Sequence, residues 1–345
     1  MVKDVSLVAI PEAMASTMSG LYDVLGSLRS LSGIGGTVID EDVFRVRIVG
    51  ETRGTAVSAS GLSLEIQRTI DTISRTDIVI VPSLLVPEGR WETGRYPELV
   101  EWLGTMHQSG AILCSACSGM FLLAETGLFD GADCTIHWSY AQRFHSLFPQ
   151  IRLHPECALL ASGDHADLVS SGASTSWHDL ALYLVARYSG VAVAQAATKF
   201  FALQWHEDGL APYIVFSPPT DHGDAVIADA QAWLATHFPV GGPVEEMVAR
   251  SGLPERTFKR RFSKATGFAP LAYVQRLRIE DARARLERTS DPVDEIAWRV
   301  GYEDPAFFRR IFNRTMGLSP GAYRRKFQVP EGAVRRKRAQ AGARS

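Results

Sequence analysis

The stretch "PVEEMVARSG", residues 243–252, returns as "PVDEIAWRVG" at residues 292–301, 49 positions on. Behind each copy runs one further pattern. Phe258, Arg260, Phe262, Gly267, Pro270 and Tyr273 recur as Phe308, Arg310, Phe312, Gly317, Pro320 and Tyr323, each 50 positions later. A repeat of this regularity marks a duplicated structural unit. Each copy reads as helix, turn, helix. Pro243 and Pro292 suit a first helical turn, where a missing amide costs no hydrogen bond. Val244, Met247 and Val248 make one apolar stripe, matched by Val293, Ile296 and Ala297. Gly252 and Gly301 are placed to end those helices, and Gly267 and Gly317 to close the second ones. Within the second helices, Phe258 and Phe262 stand at i, i+4 and face inward, which turns Lys259, Arg260 and Arg261 largely outward. Arg309 and Arg310 do the same in the second copy. Between the copies, "PLAYVQRLRIEDARARLER" (270–288) reads as a long helix joining them rigidly.

The charge distribution sets this region apart. The chain of 345 residues carries a net charge of −2, yet residues 241–345 hold 23 Lys and Arg against 12 Asp and Glu, a net of +11. The remainder holds 13 basic and 26 acidic residues, and all nine histidines. Opposite charge in two regions indicates two tasks, the basic one toward a polyanion. A helix presenting guanidiniums on its exposed face fits the DNA major groove, where Arg pairs with guanine edges. Two such helices would read successive groove segments about 34 Å apart. The competing reading is a helical adaptor with charged faces.

These residues resemble the DNA-binding domain of AraC-type transcriptional regulators, over about 225–328. The resemblance places Arg256, Thr257, Lys259 and Arg260 on the first recognition helix, and Asp304, Ala306, Arg309 and Arg310 at the start and exposed face of the second. Pro305 and Phe307 depart from it, since the family often has small polar residues there. The tail "VPEGAVRRKRAQAGARS" (329–345) lacks an apolar period and reads as a disordered basic extension.

Ahead of residue 205 the pattern changes. Strand-like runs occur at 5–10, 44–50, 77–84 and 111–116, with helical stretches such as 96–108 and 174–190 between or after them. Near-continuous apolar strands alternating with helices imply a three-layer α/β sandwich with a mostly parallel sheet. With 46% hydrophobic residues the chain can bury a sizeable core, and no run approaches the ~20 apolar residues of a membrane span. The start "MVKDVSLVAIPEA" reads as a first strand rather than a signal peptide. The four cysteines, Cys114, Cys117, Cys134 and Cys157, show no small-scaffold spacing, so a reducing, cytoplasmic setting is expected.

Cys117 stands at the end of an apolar run, with Ser115 two before it and Gly119 two after. That layout suits a nucleophile elbow, whose sharp turn needs small residues at both positions. A helix starting at Ser118 would aim its positive end at the sulfur and favour a thiolate. The alternative is a buried inert cysteine. A redox or metal role for Cys114 with Cys117 is disfavoured, because residues three apart on a strand face opposite sides.

The segment "CSGMFLLAETGLFDGADCTIHW" (117–138) resembles the glutamine-amidotransferase-like, PfpI-type superfamily, with the likeness extending over about 4–195. That resemblance puts Cys117 at the nucleophile position, with His137 and Trp138 near it. It also puts Thr17 where the enzymes of the superfamily carry Asp or Glu. Thr cannot act as a base, and Glu12 is the only nearby substitute. Together the two resemblances imply the GlxA-like subgroup of AraC-type regulators. The expected layout is a PfpI-type ligand-binding and dimerisation domain at 1–205, a linker at 206–224 rich in Pro, Gly and Asp, the two-unit DNA-binding domain at 225–328, and the tail. The expected function is sequence-specific DNA binding in the cytoplasm as a homodimer, under control of a small polar or nitrogen-containing effector held by Glu12, Thr17, Cys117, Ser118, His137 and Trp138. No cofactor or metal is expected. RNA polymerase would be a further partner of an activator. The alternatives are a cysteine-dependent hydratase or amidohydrolase carrying a DNA-binding domain, and a thiol-based oxidant sensor.

Overall fold

Isoleucine and valine fill the interior strands of the N-terminal unit, as a sheet covered on both faces requires. A computed structural model describes residues 1–33, 39, 42–86 and 90–329. The chain divides into two units, Met1–Leu210 and Ala211–Ser345.

The first unit runs β1 (Lys3–Val8), α1 (Ala15–Gly26), β2 (Phe44–Gly50), a β3–β4 hairpin (Gly54–Val57, Ser63–Ile66), β5 (Arg68–Thr69), β6 (Ile78–Val81), α2 (Pro97–Gln108), β7 (Ile112–Ala116), α3 (Met120–Ala124), β8 (Asp133–Cys134), α4 (Ala141–Leu147), β9 (Arg152–Leu153), β10 (Leu159–Ser162), β11 (Leu168–Ser171), α5 (Trp177–Ser189) and α6 (Val191–Phe201). Seven strands form one sheet in the order β10-β11-β7-β6-β1-β2-β5. All neighbours are parallel except β10 against β11. Val5 sits opposite Ile78, and Ile80 opposite Cys114, so the central register is mostly apolar, with Ser6 opposite Val79 and Ser115 opposite Val81. Helices α1, α5 and α6 pack together, as do α2 and α3, and the sheet lies between helical layers. Gly20 lets α1 come down on α5, because a Cβ there would lie 2.4 Å from the Trp177 ring. The chain leaves β1 toward β2 on one side and returns at β6 on the other. Sheets of this kind hold ligands outside the carboxyl ends of the strands at that reversal.

The second unit is helical: α7 (Ala225–His237), α8 (Pro243–Ser251), α9 (Glu255–Thr266), α10 (Pro270–Arg288), α11 (Val293–Arg299), α12 (Pro305–Met316) and α13 (Pro320–Phe327). The 50-residue repeat carries through to atoms. Gly267 and Gly317 end α9 and α12 at φ 78° and 70°, in the left-handed region that favours glycine. Phe258 and Phe262 are buried in one core with Ile227, Met247 and Tyr273; Phe308 and Phe312 are buried in another with Ile279, Ile296 and Tyr323. Helix α10 supplies Tyr273 and Val274 to the first core and Ile279, Ala282 and Leu286 to the second. Gly301, at φ 94°, packs where a Cβ would meet the Pro239 carbonyl oxygen at 2.3 Å.

The stretch 206–224, read from composition as a linker, is packed at both ends. Asp179 accepts from the His206 amide at 2.8 Å, and Leu210 is buried. From 211 on, the Pro212 and Ile214 carbonyls accept from the buried Arg283, while the Phe216 ring stands edge-on to Phe268 and Tyr273. Proline-rich composition announces irregular backbone, but not that a distant buried arginine satisfies its carbonyls. The basic tail, from Pro330 on, lies outside the described residues. Among the described residues, no helix is long and apolar enough to cross a membrane.

Candidate nucleic-acid interface and cysteine site

Cys117 follows β7 directly and has φ 53°, a left-handed conformation costly for a residue with a side chain. The turn is as tight as the small flanking residues imply. A Cβ on Gly119 would lie 2.4 Å from the Val81 carbonyl oxygen and 2.5 Å from that of Pro82. The elbow therefore exists. The thiol is only 2% exposed, and the helix behind it is a single 3-10 turn followed by the five residues of α3. Burial pushes the Cys117 thiol above its ordinary range, although the Ser118, Ser174 and Ser83 hydroxyls pull the other way. This corrects the expectation of a thiolate: desolvation in an apolar interior outweighs a short helix end. Ser174 Oγ lies 3.9 Å from the sulfur. Ser83 Oγ is buried without a full hydrogen bond of its own.

The other pocket candidates are each held by contacts of their own. Thr17 is buried in α1. Glu12, 9% exposed, accepts from the Tyr96 hydroxyl at 2.5 Å and pairs with Arg95 at 2.6 Å. Burial, and then this carboxylate, push the Tyr96 phenol well above its usual range. Among the described residues no carboxylate is bonded to the Cys117 sulfur. Ser118 is structural: its hydroxyl accepts from the Leu84 amide at 2.8 Å and also bonds the Leu84 carbonyl. His137 turns Nδ1 to the Ser139 hydroxyl at 2.7 Å and stacks on Trp138, with ring centroids 5.3 Å apart. Burial lowers its pKa, which keeps the imidazole neutral. A cavity of about 550 Å³ opens elsewhere in the unit, lined by Glu156, Cys157, Leu159, Trp205 and His206, among others. All four cysteines are free thiols.

On the helical unit, Arg256, Lys259 and Arg260 are exposed on α9, with Thr257 half-buried beside them. Lys259 pairs with Glu255 one turn back. Arg261 is a correction to the outward-facing reading: it makes a two-pronged pair with Asp224, 2.9 and 2.7 Å, and Asp224 also caps α7. On α12, Asp304 is the cap, accepting from the Ala306 amide at 2.8 Å. Arg309 is drawn to Asp294 on α11. Arg310 lies over the exposed Phe307 ring, 5.5 Å from its centroid.

A model described as the DJ-1/PfpI family matches residues 33–152, and one described as a helix-turn-helix domain matches 247–326. The chain thus joins a DJ-1/PfpI domain to an AraC-type helix-turn-helix domain. The HTH-type transcriptional regulator CdhR of Pseudomonas aeruginosa is 25% identical over 282 residues, 81% of either chain. The HTH-type transcriptional regulator GlxA of Rhizobium meliloti is 25% identical over 212 residues, 61% of this chain and 64% of that one. A crystal structure from Vibrio parahaemolyticus, described as a transcriptional regulator protein, shares the fold with a TM-score of 0.50 at 20% identity, covering 58% of this chain and 99% of its own.

Sequence reading missed Ser83, Ser174 and Tyr140 at the cysteine, and Arg95 with Tyr96 at Glu12. Strand ends, a short 3-10 turn and the start of α2 bring these residues together, and no local pattern announces them.

Proposed function

We propose that this regulator binds operator DNA by placing α9 and α12 in successive major-groove segments, and that a small metabolite bound to the DJ-1/PfpI domain alters that binding. The observation that carries it is the pair of helices in equivalent register, each with an i, i+4 phenylalanine pair buried and an arginine, Arg260 or Arg310, exposed. Arg256 and Arg260 read bases or hold phosphates on the first helix; Arg310 serves the second. The DJ-1/PfpI domain acts in sensing rather than catalysis. The buried neutral thiol and the carboxylate committed to Tyr96 and Arg95 support that reading. The effector sits beside Cys117 and His137, at the carboxyl ends of the strands. The chain acts as a homodimer where the DNA is, and contacts RNA polymerase if it activates. An effector shifts operator affinity only by its differential affinity for the two states.

The test is selection of duplexes from a randomised pool with the full chain, followed by fluorescence anisotropy across a salt series. One selected sequence bound over its scrambled form, and weakened by Arg260→Ala, is the expected result. Equal binding of both sequences at every salt concentration sinks the reading.

A further inference from the structure

Helix α12 is not a copy of α9 at its reading end. The position of Thr257 in the first unit is taken by Phe307 in the second, and that of Arg256 by Ala306. Phe307 is 39% exposed, although an aromatic ring next to a hydrophobic core is usually drawn inside. Two ring contacts and the helix start hold it in place. The Tyr302 ring lies behind it with centroids 6.0 Å apart, the Arg310 guanidinium covers it one turn on, and the Pro305 ring fixes the first turn of the helix below it. Ala306 beside it is exposed and too small to screen it. The polar neighbours are committed: Asp304 caps the helix and Arg309 pairs with Asp294. What remains free to meet a base at the start of α12 is an apolar edge with one stacked cation.

We infer that Phe307 is a specificity-determining residue of the second unit, reading the 5-methyl group of a thymine, while Arg310, held over its ring, pairs with a neighbouring guanine. The inference rests on the proposed DNA binding. An apolar side chain against the thymine methyl is one of the few base contacts that need no hydrogen bond, and Arg to guanine O6 and N7 is the commonest that does. Stacking on an aromatic face restricts the guanidinium before DNA arrives and so reduces the ordering cost of that pair. The first unit, with Thr257 and two arginines, reads by a different code, so the two half-sites are unlike in sequence.

The experiment compares sequences selected from a randomised duplex pool by the full-length wild type, Phe307→Ala and Phe307→Tyr, with circular dichroism to show that each variant is helical. Wild type is expected to require a T·A pair next to a G·C pair in one half-site. Phe307→Ala loses the thymine preference there, Phe307→Tyr keeps it, and both retain the other half-site. Replacing that thymine by deoxyuridine, which removes only the methyl, weakens wild-type binding by about fourfold, the equivalent of burying one methyl-sized group, and leaves Phe307→Ala unaffected. Wild type that binds thymine and deoxyuridine duplexes equally, or Phe307→Ala that selects the wild-type site, overturns the inference while leaving DNA binding standing. A wild-type chain that selects no sequence overturns both.

Discussion

Cys117 shows how far one residue can be read from its neighbours. Ser115, Gly119 and the apolar run before them announce a tight turn at the end of a strand, and the left-handed backbone at Cys117 is that turn. What the neighbours do not announce is the dielectric around the sulfur, because Ser83, Ser174 and Tyr140 arrive from other strands and loops. With its pKa raised by burial, the thiol should resist alkylation at pH 7. In a mass-spectrometric time course with iodoacetamide, the more exposed Cys157 is expected to be labelled first, with Cys117 gaining rate only above the ordinary thiol range. Labelling of Cys117 ahead of Cys157 at neutral pH would show an activated nucleophile and restore the enzyme reading. Arginines divide in the same way. Arg260 is exposed, whereas Arg261, its neighbour, is spent on Asp224. Arg260→Ala should lower operator affinity and reduce the salt slope by about 1, whereas Arg261→Ala leaves that slope within error. Adjacent letters in a basic run are indistinguishable on paper, since the partner lies 37 residues away.

Elements were legible where one period dominates. The pattern Phe258, Phe262 and its echo at 308 and 312 specified α9 and α12 with their glycine ends, since burial of the phenylalanines and termination at a left-handed residue are both local demands. Phe262→Ala should cost about 3–5 kcal/mol of the second unit's stability, seen as a lowered urea midpoint, because the ring is fully buried among other aromatics. Asp304→Ala removes only a cap and should cost about 1 kcal/mol. The positions of β1, β2, β6 and β7 were equally plain, because inner parallel strands are largely apolar runs. The short β8–β9 pair and the packed stretch 206–224 were not. Two-residue strands have no period, and the hydrogen bonds that fix 211–214 come from Arg283, in a different part of the sequence. At the elbow, Gly119→Ala should lower the melting temperature of the first unit, because the added methyl meets two backbone oxygens that cannot move independently of β6.

For the molecule as a whole, thiol burial couples stability to pH. The Cys134 thiol is pushed up to about 12 from an ordinary value near 9, and Cys117 is raised as well. The folded chain therefore keeps protons that the unfolded chain releases above pH 9, and stability is full below that pH and falls as pH rises through the window from 9 to 12. Urea midpoints taken from pH 8 to 10.5 should decline, and decline less in Cys134→Ala. Charge asymmetry between the halves was visible from counting alone, and so was the division of labour it implies. The chemistry of the proposed effector was not, since the residues around Cys117 come from strand ends and turns far apart in sequence. Helix α10 carries a last consequence. Its 19 residues span about 28 Å, and one end is built into the core behind α9 while the other is built into the core behind α12. The two reading heads are thus mounted on a common axle. Inserting a single residue in its middle would turn one head about 100° relative to the other, while inserting a whole turn would nearly restore their facing at a longer reach. On the proposed reading, the gap between the half-sites is a ruler cut into the protein, and operators whose spacing drifts by a base pair fall off its graduations.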